Sequence, residues 1–205
     1  MRKLIVVLAP ALLLLFIGST AHADTLKYVS DPHGVNGPYT MSLNGVTTSM
    51  ICYSADNSVY PNEQWDVTAY TEGSDLSALV KTEFGANTLT QTEFDYNVLG
   101  YLANELFASP GNSNLQDAIW AVLGLGGSKN SDYNSAVTYV TDHPSYETTD
   151  VFYIPDGSSW DYQWGPQPFI QEGTSTVPEP ASLSLLALGL VGLGFLARKR
   201  GFAIL

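Results

Sequence analysis

The chain has 205 residues, eight Lys and Arg against twenty Asp and Glu, a net charge of −12, one cysteine and four tryptophans. Five of the basic residues lie at the two ends, leaving Lys27, Lys81 and Lys129 against nineteen acids between Asp24 and Val177, so the exposed domain carries near −16. Nucleic-acid binding is excluded on that balance, because it depends on Lys and Arg contacts that release counterions; the same acidity reads most simply as solubility. A single cysteine likewise excludes a disulfide-stapled scaffold.

In chain order, Met1 to Ala23 carries Arg2 and Lys3, an apolar run from Leu4 to Ile17, and Ala21-His22-Ala23 before Asp24. A basic start, an apolar stretch too short for a lasting span and a small-x-small site define a cleavable signal peptide over 1–23. Residues 24–172 then read as one α+β domain, β-rich with inserted helices. Strands are predicted near 38–43, 46–53 and 65–70 from β-branched and aromatic runs, with Asn44-Gly45 as a hairpin turn. Asp95 to Phe107 spaces Val98, Leu99, Leu102 and Leu106 as a helix ended by Ser109-Pro110-Gly111. A second helix opens at Ser113 or Asn114 and carries Leu115, Ala118, Ile119 and Val122 until Gly124 stops it. A third runs from Asp132 to Val140, followed by a strand over Val151 to Ile154 and a return strand in Ser158 to Phe169 holding Trp160, Tyr162 and Trp164.

After a linker over 173–177 the chain ends in a patterned tail over 178–202. Pro178-Glu179-Pro180 precedes the apolar stretch 181–197, which at about 1.5 Å per residue spans roughly 26 Å and matches a bilayer core as a transmembrane helix. Arg198-Lys199-Arg200 behind it stays cytoplasmic under the positive-inside rule, leaving the domain outside. An ordinary tail anchor is the simpler reading of these residues. The tripeptide, the Gly- and Leu-rich helix and the terminal basic patch, in that order, resemble the PEP-CTERM sorting signal. The resemblance implies processing by an exosortase near the tripeptide in a Gram-negative bacterium. It also implies a protein held in the inner membrane by its C-terminal helix before cleavage, then released to the outer envelope or extracellular matrix.

Candidate chemistry within the domain is sparse. No Ser-His-Asp order, metal-ligand cluster or phosphate-binding glycine loop stands out, so no cofactor or metal is expected. His33 and His143 each sit beside proline in turn-like segments and read as surface residues. Cys52 is the exception, since a lone cysteine in an exported protein has no internal disulfide partner. It stands in Met50-Ile51-Cys52-Tyr53, with a polar stretch and Pro61 following; Leu115-Gln116-Asp117-Ala118-Ile119-Trp120 comes later. As residues alone, these are equally a buried free thiol and an ordinary amphipathic helix.

Together the two segments resemble the paired signatures of thioester domains in bacterial surface adhesins, with Ile51 and Leu115 in place of the commoner residues before Cys and Gln. The resemblance implies an internal thioester between Cys52 and Gln116, in a pocket that we place among Tyr53, Ile119 and Trp120. A glutamine amide is a poor acyl donor, whereas a thioester is open to attack by an amine or hydroxyl. Gln116 in the first turn of its helix is expected at the pocket rim, with free backbone N–H groups there polarising the carbonyl. Asp117 either orients an incoming amine or simply favours the helix dipole.

Such a domain is not an enzyme: it makes one displacement per molecule, on a surface amine or hydroxyl of a polysaccharide or protein. The alternative is a noncovalent polysaccharide-binding or structural matrix protein, in which Trp160, Tyr162 and Trp164 stack on sugar rings.

Overall fold

Strand β1 (Asp24–Ser30) pairs antiparallel with β2 (Tyr39–Leu43), placing Leu26 opposite Leu43 and Tyr28 opposite Met41. These pairings come from a computed structural model that describes residues 24–56, 59–71, 73–156 and 166–173. Between β2 and β3 (Val46–Cys52), Asn44 and Gly45 both take positive φ, 51° and 85°, the two-residue turn whose twist matches the flanking strands. Strand β4 (Gln64–Tyr70) lies on the other side of β1. Strand β5 (Val151–Pro155) pairs with β4, and the three-residue β6 (Phe169–Gln171) bridges β5 to β3.

The strand order β1-β2-β3-β6-β5-β4 therefore closes on itself as an antiparallel barrel. This corrects the expected α+β arrangement of a β-rich sheet with inserted helices: every sheet edge finds a partner, which removes the unpaired backbone groups that an open sheet exposes. Among the described residues three α-helices accompany the barrel, all in the stretch between β4 and β5. They are α1 (Leu89–Ala108), α2 (Ser113–Val122) and α3 (Ser131–Asp142). Among the described residues no helix is long and apolar enough to cross a membrane. The predicted signal peptide 1–23, the aromatic stretch with Trp160, Tyr162 and Trp164, and the transmembrane helix 181–197 lie outside the described residues. The chain divides into two units between Glu172 and Gly173.

Two cores follow from the period-2 alternation of the strands. Leu26, Tyr28, Tyr39, Met41, Met50, Cys52, Val67, Tyr153 and Phe169 fill one cluster, the barrel interior. Ile51, Tyr53, Phe152, Ile154 and Ile170, their immediate sequence neighbours, pack with Leu99, Leu102, Leu106, Leu115, Ile119, Ala136 and Val140 of the helices. Strands β3, β5 and β6 are thus covered on both faces, and the helices seal the side of the barrel that they form.

Local signals set the helix ends. Thr88 accepts from the Gln91 amide through its hydroxyl, so α1 begins six residues before its predicted start at Asp95. Asn112, rather than Ser113 or Asn114, caps α2, its Oδ1 receiving the amides of Asn114 (3.1 Å) and Leu115 (3.4 Å). Asn130 caps α3 with Oδ1 and spends its Nδ2 on the Asn114 carbonyl at 2.7 Å, tying α3 to the first turn of α2. Close approach explains Gly100 in mid-α1: a Cβ there would overlap Thr148 Oγ1 and lie 3.0 Å from Asp150 Oδ2.

Candidate functional site

Cys52 is the last residue of β3 and its side chain belongs to the barrel interior. In register it stands opposite Phe169 of β6, while Tyr39 at the start of β2 stands opposite Met50. Helix α2 brings Gln116 to the same place: Gln116 Nε2 donates to the Cys52 carbonyl oxygen at 2.9 Å across 64 residues of sequence. Both residues are 0% exposed. Because that carbonyl only accepts, the amide must present its nitrogen there. Its oxygen, Oε1, is left buried with no hydrogen-bond partner. Gly37 lines this side; a Cβ on it would lie 2.9 Å from Oε1, and its φ of +43° disfavours any side chain.

Four residues after Gln116, on the same face of α2, stands Trp120, packed against the barrel-interior cluster. Its indole Nε1 is also buried without a hydrogen-bond partner. Burial pushes the Cys52 thiol above its ordinary range; the Trp120 indole, the Tyr39 hydroxyl and the Ser54 amide beside the sulfur pull it back part of the way. Tyr39 is raised too, by burial first and then by Cys52. Its hydroxyl donates to the Val35 carbonyl at 3.0 Å. That carbonyl belongs to a 3-10 turn over Gly34–Asn36, in the segment that leads through Gly37 to β2. The Gly37 carbonyl accepts the Gly111 amide at 3.0 Å, joining this segment to the entrance of α2.

Sequence reasoning placed five residues here, and the structure distributes them differently. Cys52, Gln116 and Trp120 converge. Tyr53 and Ile119 pack instead in the helix-side core, as the strand alternation after Cys52 requires for Tyr53. Gln116 is fully buried rather than at a rim. The first-turn amides expected to polarise a carbonyl are occupied, those of Asn114 and Leu115 by Asn112 Oδ1 and that of Gln116 by the Asn112 carbonyl at 3.1 Å. Tyr39 and Gly37 were missed; a tyrosine five residues before the Asn44-Gly45 turn and a Gly-Pro step carry no chemical signature of their own. His143 stacks on Tyr139 at 4.2 Å between centroids and bonds the Tyr139 carbonyl. Among the described residues no group of three His, Cys, Asp or Glu is placed to hold a metal ion.

What this arrangement offers chemically is a thiol and a carboxamide in one dry chamber. Attack of the thiol on the amide would build negative charge on Oε1, an atom to which the structure gives no hydrogen-bond donor, and would expel the nitrogen that now donates to the Cys52 carbonyl.

Residues 176–200 match the model of the PEP-CTERM protein-sorting motif, and so take in Pro178, Glu179, Pro180, Arg198, Lys199 and Arg200 of the predicted tail. The motif implies an exported protein, processed by an exosortase and anchored in the membrane before sorting. No curated protein and no solved structure matches the chain.

Proposed function

We propose that this exported protein carries an internal thioester between Cys52 and Gln116 and serves as a covalent adhesive of the outer envelope or extracellular matrix. The observation that carries the reading is the convergence of the only cysteine with a fully buried glutamine whose Oε1 has no partner. An orphaned buried amide oxygen costs about 1–3 kcal/mol, so a glutamine is a poor choice there if packing alone is at issue. Formation is balanced without a cofactor. The sulfur attacks Cδ of Gln116, the C–N bond breaks, and ammonia leaves with the thiol proton. Opening is the matching displacement: an amine or hydroxyl attacks Cδ, the C–S bond breaks, and the proton released by the nucleophile goes to sulfur.

Complete burial keeps bulk water from the bond until a target arrives. The segment 31–37 lies against the two residues: a Cβ on Gly37 would meet Gln116 Oε1, and the Val35 carbonyl accepts from the Tyr39 hydroxyl. The test is the intact mass of the chain purified without reductant or amine buffers. A chain one ammonia lighter than its residues require, restored to additive mass by methylamine and unmodified as Cys52→Ala, supports covalent capture. The additive mass with a freely alkylated Cys52 refutes it and leaves a noncovalent polysaccharide-binding or structural matrix protein.

A further inference from the structure

Helix α1 turns a second stripe away from its buried face. Thr90, Glu93, Phe94 and Asn97 recur at the three- and four-residue spacing that places side chains on one side of a helix; the first two are exposed and the last two half-buried. That stripe forms one wall of a cleft of about 620 Å³, whose other walls are Tyr70 at the end of β4, the last turn of α3, and the loop through Tyr146 and Glu147 that leads to β5. The volume lies within the range of about 300–1,000 Å³ typical of small-ligand sites. Local bonds fix its shape. The Tyr146 amide donates to the His143 carbonyl at 2.8 Å, closing the turn out of α3, and the Thr148 amide donates to Asn97 Oδ1 at 3.0 Å, holding the loop against α1. Because Oδ1 accepts there, Asn97 is left with Nδ2, a pure donor, for whatever enters the cleft. Tyr146 is itself braced edge-on by Tyr139, with ring centroids 5.5 Å apart.

The lining decides what fits. Half of its side chains are Thr, Ser, Asn, His or Glu, whereas sites for apolar ligands are predominantly hydrophobic. Among the described residues that line it there is no Lys or Arg, while Glu93 and Glu147 both do, so phosphate, sulfate and uronate groups are repelled. Tyr70, Phe94 and Tyr146 contribute half-buried rings at the border of the helix-side core. A neutral sugar complements all three kinds of group: its hydroxyls donate to carboxylates and accept from an amide, and the C–H face of its ring lies on an aromatic face. We propose that this cleft binds a neutral saccharide noncovalently, with Glu93, Glu147 and Asn97 on the hydroxyls and Tyr70, Phe94 and Tyr146 against the ring. Neither Cys52 nor Gln116 lines the cleft, so the site stands whether or not a thioester forms. With a thioester, it narrows the target of the adhesive to a polysaccharide.

The test uses the full chain as Cys52→Ala, which cannot capture a target covalently, on an array of neutral, amine-bearing and acidic oligosaccharides, with dissociation constants of the hits taken by titration calorimetry. Neutral glycans are expected to bind and acidic ones to be ignored. Glu93→Ala and Glu147→Ala, at exposed positions where substitution leaves the fold intact, should each weaken the hit about tenfold, the worth of one hydrogen bond to a charged group. Thr141→Trp, at another exposed lining position, should abolish binding by filling the cleft. An array on which no neutral glycan binds, or a hit that all three variants bind unchanged, overturns the proposal. Binding confined to amine-bearing glycans overturns it in favour of a cation site. Ammonia lost by the unsubstituted chain with no glycan bound leaves the thioester standing and the saccharide site refuted; glycan binding in a chain that never loses ammonia gives the reverse.

Discussion

Opening the proposed thioester with methylamine is expected to lower the stability of the domain without changing a residue of its sequence. Cys52 and Gln116 are 64 residues apart, so the proposed bond between them would close a loop that contains β4, the whole of α1 and the entrance to α2. In the chain-entropy treatment of cross-links, closing a loop of that length removes about 4 kcal/mol of conformational freedom from the unfolded chain. For a domain of this size each kcal/mol moves the unfolding temperature by about 2–4 °C, so the midpoint should fall by roughly 8–16 °C. The added methyl acts in the same direction, because Gln116 is 0% exposed and Gly37 closes on its oxygen. Thermal unfolding followed by near-ultraviolet circular dichroism, before and after methylamine in otherwise amine-free buffer, measures the shift; Cys52→Ala treated identically should not move. Methylamine found on the chain by mass, with the midpoint unchanged, would refute the cross-link reasoning.

Three further outcomes follow from the geometry. Gly100→Ala should destabilise by about 1–3 kcal/mol through overlap with Thr148 Oγ1, although alanine in a helix interior normally gains about 1 kcal/mol over glycine; urea unfolding gives the sign. Asn130→Ala should cost about 1–2 kcal/mol, since it removes both the α3 cap and the bond to the Asn114 carbonyl; the same urea midpoint measures it, and Asn130→Asp should recover the cap alone. In Gln116→Leu, the native Cys52 thiol keeps its proton above the ordinary value of about 8.5, so the native state binds protons that the unfolded chain has released. Stability is then level below about pH 8 and falls as pH rises from there toward the native value; adding Cys52→Ala should flatten that slope in urea midpoints taken from about pH 7 to 10.

Short-range chemistry was legible in the sequence because its partners are neighbours in the chain. Asn44-Gly45 specifies its hairpin through two positive φ values, and the helical spacing of Leu99, Leu102 and Leu106 specifies the buried face of α1. The start of α1 was equally available, since Thr88 and Gln91 have the spacing of a capping box. So was the fate of Tyr53: adjacent strand residues face opposite sides, and a cysteine turned into the barrel sends its neighbour to the helices. The tail announces itself by order alone, tripeptide, apolar stretch and basic patch, and the sorting-motif match over 176–200 spans those residues.

Closure of the barrel was not legible. It depends on β6, three residues long, meeting Cys52 from 117 positions away and Tyr153 from 16, and a segment that short has no periodicity to read. The candidate site was half legible for the same reason. Cys52 and Gln116 could be paired by resemblance, but burial of the amide, the occupied first-turn amides, and Tyr39 and Gly37 at the sulfur and the oxygen come from three separate elements meeting at one end of a barrel. Sequence alone determined which residues are chemically able to react; only the tertiary structure decided which groups stand beside them, because burial and the pairing of donors with acceptors belong to contacts that no local pattern encodes.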